Sequence, residues 1–213
     1  MAKGKLILLR HGQTTYNEKQ LMCGQHDAPL TPLGQSQAVE AGRALAGITF
    51  DKIYASSLSR AFNTAALALE EAGIGEPVEK RADLMECDAG DFTGRSLTDP
   101  EILAFPRSKH MALPGGETEP QFVGRVRKFF EEEIQPRMER GETVLIVSHA
   151  GVMHALDIVM NPGDGEKSLW DTKRRLPNTA IVTVDFEDGK VVGEQMLDPA
   201  ARKPGDARSG PSR

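Results

Sequence analysis

Lys5-Leu6-Ile7-Leu8-Leu9-Arg10-His11-Gly12 is the stretch whose reading decides the fold. Its aliphatic run is strand-sized and apolar at every position, as in a parallel strand buried on both faces. It ends abruptly in Arg10, His11 and Gly12. Outward from it, Phe50 to Ala55, Pro77 to Lys80 and Glu142 to Ser148 predict further strands. Helical patterns fall between them. Thr31 and Pro32 supply an N-cap and a first-turn proline, and Ala38, Ala41 and Leu45 follow at helical spacing until Gly47. Ser57 is placed to cap a second helix, with Ala61, Ala65, Leu69 and Ala72 inward and Gly73 at its end. Thr118-x-x-Gln121 is a capping-box pattern, followed by an apolar face of Phe122, Val126, Phe129 and Phe130 running towards Met138. A fourth helix follows His149-Ala150-Gly151 and stops before Pro162.

Thr179 to Phe186 and Lys190 to Leu197 alternate around Glu187-Asp188-Gly189, which predicts a hairpin at one edge of the sheet. Strand alternating with helix makes the fold class α/β, a three-layer sandwich. Its central sheet is mainly parallel, with helices on both faces and an antiparallel edge hairpin. Residues 87–117 are rich in Gly, Pro and Asp without periodicity, so they read as a long functional loop with at most a short helix. One domain is expected over 1–199, with 200–213 as a Pro-, Gly- and Arg-rich unstructured tail.

The whole-chain properties exclude several classes. The formal net charge is −5, and no basic tract is interleaved with aromatics, so no nucleic-acid partner is expected. No apolar run approaches the roughly 20 residues of a membrane span, and residues 1–5 lead straight into a strand without a secretory signal. A cytoplasmic protein without a membrane partner is the expectation, with room for a homodimer. Cys23 and Cys87 make no disulfide framework, and Cys23-x-x-His26 is too little for a zinc site. No metal or other cofactor is expected.

In a parallel sheet, ligands gather beyond the carboxyl ends of the strands. Arg10-His11, Ser56 to Arg60 and Ser148-His149 each follow a strand, so all three polar clusters reach the same edge. Two arginines and two histidines there predict an anion site, because guanidinium groups pair with phosphate oxygens and stay charged. A histidine among such cations is pushed towards neutral imidazole, its nucleophilic form.

Leu9-Arg10-His11-Gly12-Gln13-Thr14 with Asn17 resembles the Arg-His-Gly signature of the histidine phosphatase superfamily, the phosphoglycerate mutase-like proteins. The segments Gly24 to Thr31 with Gly34 and Gln37, Ser56 to Ala61 with Thr64-Ala65, Leu84-Met-Glu86 with Gly90 and Gly94, Pro114 to Glu117, Ser148 to Gly151 and Asn178 are similar to later elements of that family. The resemblance runs from about Lys5 to Val184. It implies that His11 is phosphorylated, and that Arg10, Arg60 and His149 hold the phosphoryl oxygens. It implies that Glu86 protonates the leaving oxygen, and that Asn17, Cys23, Gly24 and Ala150 meet the substrate. Gln13, Tyr16 and Cys23 depart from the usual Glu, Trp and Gln, Ser or Thr.

The reaction this implies is hydrolysis of a small phosphorylated metabolite, with a cofactor-dependent phosphoglycerate mutase as the alternative and an inactive binding module as a third reading. The segment Arg95 to Leu113 bears on the choice. In cofactor-dependent mutases of that family the corresponding segment is long and carries repeated Arg and Lys. Here it is 19 residues, with Arg95, Arg107, Lys109 and His110 as its basic members, too short to seal the pocket. His26, His110 and His154 read as surface or core residues, Cys87 as inert, Trp170 as packing, and Arg174 with Arg175 as a solvated pair.

Overall fold

The computed structural model describes residues 1–105, 113–161, 168–169 and 175–201. Six strands form one sheet in the order β3-β2-β4-β1-β5-β6: β1 (Lys3–Arg10), β2 (Lys52–Ser56), β3 (Val78–Arg81), β4 (Thr143–Ser148), β5 (Ile181–Glu187) and β6 (Lys190–Leu197). The pairs β1–β4, β2–β4 and β2–β3 are parallel. The pairs β1–β5 and β5–β6 are antiparallel, so the hairpin lies at one edge.

The period of two along β1 sorts its side chains between two cores. Leu6 and Leu8 face α5 (Glu119–Phe129) and α7 (Ala150–Met160). Ile7 and Leu9 face α2 (Pro32–Leu45) and α3 (Ser59–Ala72). Both faces of the strand are therefore dry, which is why its sequence does not alternate. A short α1 (Thr15–Glu18) follows β1, closed by a reciprocal cap between Thr14 and Asn17. The long loop carries α4 (Pro100–Ala104) and a 3-10 turn at Gly90–Phe92.

Two local expectations need correction. Ser57 does not cap α3, because the carboxylate of Asp27 takes the Ser59 backbone N–H at 2.8 Å and the Ser59 hydroxyl at 2.7 Å. The helix begins at Ser59, with a cap supplied from a distant loop. The helix begun by Thr118 is not uniform either: α5 passes through a π turn at Phe130–Ile134 into α6 (Gln135–Glu139). Phe122, Val126, Phe130, Ile134 and Met138 are spaced by four, and each step of four drifts about 40° around an α-helix. The wide turn takes up part of that drift and keeps all five buried.

At the C-terminus, Asp198 accepts from the Ala200 N–H and begins a 3-10 turn at Pro199–Ala201. The described chain thus passes two residues beyond the boundary expected at 199. The rest of the expected tail, with Arg107, Lys109, His110, Trp170 and Arg174, lies outside the described residues. Among the described residues no helix is long and apolar enough to cross a membrane.

Candidate active site

The parallel strands deliver the three polar clusters to one edge. Arg10 and Ser148 pair in register at the ends of β1 and β4, and His11 N–H continues the ladder to the Ser148 carbonyl at 2.9 Å. His11 and His149 meet edge to face with ring centroids 5.1 Å apart. Both are buried, and so is Arg60 in the first turn of α3.

One hydrogen bond assigns the working nitrogen of His11, and a second constrains His149. His11 Nδ1 lies 2.7 Å from the Gly12 carbonyl, which can only accept, so Nδ1 carries the proton and Nε2 keeps its lone pair. His149 Nε2 lies 2.8 Å from the Ser56 hydroxyl. With that hydroxyl donating to Nε2, the proton of His149 sits on Nδ1. Burial holds both imidazoles well below the usual histidine pKa, and the nearby guanidinium charges push the same way. The cause is therefore not chiefly the one read from the sequence: desolvation comes first and the arginines second.

Among the described residues, three buried side-chain nitrogens have no partner: Arg10 Nε, Arg60 Nε and His149 Nδ1. All three belong to this cluster. An unsatisfied buried donor costs about 1–3 kcal/mol, so their concentration in one place marks a built anion cradle. One further arm of Arg10 and both further arms of Arg60 are anchored. Arg10 Nη1 donates to the Leu176 carbonyl. Arg60 Nη1 donates to the His26 carbonyl at 2.7 Å and Nη2 to the Gly24 carbonyl at 2.8 Å.

Glu86 reaches the cluster from the loop after β3. Its two carboxylate oxygens accept the backbone N–H groups of Cys87 at 2.9 Å and Gly151 at 3.1 Å. A side chain at 151 would put its Cβ 2.2 Å from a Glu86 oxygen, so only glycine leaves room for the carboxylate there. The Glu86 carbonyl is held by Gln25 Nε2 and Arg125 Nη2, and Arg125 is paired with Glu117 at 2.8 Å. Arg125 was not foreseen as part of the site, because nothing in its helical pattern separates it from a solvated charge.

A cavity of about 280 Å³ takes in Arg10, His11, Asn17, Cys23, Gly24, Arg60 and Glu86. His149 is wholly buried behind it, and Ala150 is not in the lining; it packs against the core beside α5 and α7. In the same first turn, α7 presents the Gly151 N–H to Glu86. Asn17 Oδ1 is occupied by Thr14 and by Asn178 Nδ2. Burial raises the Cys23 thiol, and it raises Cys87 to about 12, which disfavours the thiolate form of both. Arg175 is exposed outside the lining, yet close enough to add to the depression of Arg10. Arg95 is paired with Asp99 and Glu101 rather than turned to the cavity.

Residues 6–199 match the model of the histidine phosphatase superfamily (branch 1). The chain is 36% identical over 204 residues to a 2,3-bisphosphoglycerate-dependent phosphoglycerate mutase of Parvibaculum lavamentivorans, covering 90% of this chain and 95% of that one. It is similar to the crystal structure of a putative alpha-ribazole-5'-P phosphatase from Escherichia coli K-12, with TM-score 0.78, 27% identity and coverage of 93% and 97%. It is also similar to a mycobacterial glucosyl-3-phosphoglycerate phosphatase, with TM-score 0.72, 26% identity and coverage of 91% and 97%.

Proposed function

Since the chain belongs to the histidine phosphatase superfamily, we propose that it transfers phosphoryl groups through His11 and that water is its main acceptor. His11 Nε2 attacks the phosphorus of a phosphomonoester while the P–O bond to the alcohol breaks. Arg10, Arg60 and His149 Nδ1 hold the phosphoryl oxygens, where charge develops in the transition state. Each Glu86 oxygen uses one acceptor site on a backbone N–H, which leaves capacity for a proton. Glu86 gives that proton to the leaving alcohol, then takes one from the water that attacks the phosphohistidine. The two guanidinium groups supply the positive charge that a divalent ion supplies in other phosphoryl-transfer sites, so the step is written without a metal.

One observation carries hydrolysis over mutase chemistry. Among the described residues, the charged side chains lining the cavity are Arg10, Arg60 and Glu86. A phosphoglycerate adds a carboxylate to its phosphate, and a bisphosphoglycerate adds a second phosphate. Retaining either while it turns over the phosphohistidine calls for cations beyond the first phosphoryl group. The mutase reading stands as the second, favoured by the names of relatives at 36% and 37% identity. Labelled 3-phosphoglycerate separates the two when bisphosphoglycerate is present. The hydrolase should release phosphate faster than it forms 2-phosphoglycerate; the reverse order establishes the mutase.

A further inference from the structure

Beyond its phosphoryl end, the cavity is walled by hydrocarbon. Leu21, Met22, Phe92, Leu97, Ile102 and Phe105 line it, all from segments outside the sheet. Part of this wall is the core of the long loop. Phe92 and Ile102 are buried with Ala89 and Leu113, and Phe92 meets Phe105 edge to face at 5.2 Å. Loop packing alone does not account for the rest. Leu97 lines the cavity while 44% exposed. Its place is fixed by the backbone, since its N–H donates to the Gln20 carbonyl at 2.8 Å. Leu21 bridges to Ser96 beside it, and the Met22 N–H donates to the Arg95 carbonyl. The two segments form a small antiparallel ladder that presents leucines to an opening. The nearby Arg95 guanidinium is turned to Asp99 and Glu101 and lies over the Phe92 ring.

We propose that this wall is the subsite for the alcohol half of the substrate, and that the substrate is a phosphomonoester of an apolar aryl or alkyl alcohol. The proposal rests on the hydrolase reading of the same site. The bond broken is the P–O bond to that alcohol, which leaves with a proton from Glu86, and water supplies the oxygen of the released phosphate. A sugar acid or polyol would leave its hydroxyl and carboxylate groups unpaired against Leu21, Leu97 and Phe105, which disfavours it.

Two esters with the same kind of leaving group test this: 2-(1-naphthyl)ethyl phosphate and ethyl phosphate, with 3-phosphoglycerate as the polar comparison. Each buried methylene strengthens binding about fourfold, so kcat/KM for the naphthyl ester should exceed both others by at least about tenfold. Leu97→Asn, at a side chain 44% exposed, should narrow the ratio between the naphthyl and ethyl esters at least about threefold. Calorimetry with the corresponding phosphonates, which cannot be hydrolysed, reads the subsite independently of turnover. Tighter naphthyl binding without hydrolysis of any ester would refute the hydrolase reading and keep the apolar class. Equal affinity of the two phosphonates, or a preference for 3-phosphoglycerate, overturns the proposal.

Discussion

The two ends of the cavity are built by opposite means. The phosphoryl end comes from strand termini and first helical turns, with Arg10 at the end of β1, His11 just after it, Arg60 in α3 and His149 after β4. It is polar, deeply buried and tied to the backbone at nearly every free arm. The other end comes from the ladder beside Leu97 and the loop around Phe92 and Phe105, and it is apolar and half-open. Strand ends and first helical turns fix where the first end sits, and carbonyls of Gly24, His26 and Leu176 hold its arginines. The second is built by side chains of loop segments, so its shape and chemistry can vary with those side chains while the strand ends stay as they are. Reaction type and substrate choice therefore reside in separate parts of the chain.

Substitution at His11 should produce the largest effect and tests that separation. The enzyme should take up an acid-labile, base-stable label from a radioactive phosphate ester, and His11→Ala should take up none from any ester. Residual labelling that varied with the size of the alcohol would show that the apolar end contributes to the chemistry.

Glu86 stands where the two ends meet, and its worth should depend on the alcohol. Glu86→Gln should slow alkyl phosphates by about 10²-fold or more, the usual contribution of a placed acid. The phosphorylation step with p-nitrophenyl phosphate, whose leaving group needs little protonation, should suffer far less. Equal losses in that step for both esters would remove Glu86 from the acid role.

The smallest effect concerns the burial of the polar end. His11 and His149 are held neutral in the fold, while the unfolded chain takes up protons below about pH 6.5. Their contribution is intact above that pH and is lost as pH falls below it, because the unfolded state then binds more protons. Each histidine sets a slope of up to about 1.4 kcal/mol per pH unit. Urea unfolding of His11→Asn should therefore lose about 1–2 kcal/mol less than wild type between pH 6.5 and 5. Parallel losses would mean that His11 protonates in the folded protein.

The same division explains what was legible in the sequence. The all-apolar run from Leu6 to Leu9 revealed a strand covered on both faces, and its neighbours placed Arg10, Ser56 and His149 at one edge. Position in a parallel sheet follows from short-range pattern, so that end could be read from the residues. The wall could not, because Leu21 and Leu97 meet through backbone hydrogen bonds that leave no periodicity. Asp27 capping a helix that begins at Ser59 is missed for the same reason: the partner is 32 residues away. Arg125 and Gly151 show a further kind of gap. Each acts on Glu86 from its own helix, and neither residue type announces such a role.

The three unpartnered donors at the phosphoryl end carry a consequence for the enzyme between turnovers. On the proposed hydrolase reading, the nitrogens that would hold the phosphoryl group of an ester would also hold the inorganic phosphate released, through the same contacts. Free phosphate is thus a competitor for the resting site and, by binding only the folded chain, a stabiliser of it. On that reading a phosphate buffer should act on this protein in two opposed ways, protecting it against heat while slowing its catalysis.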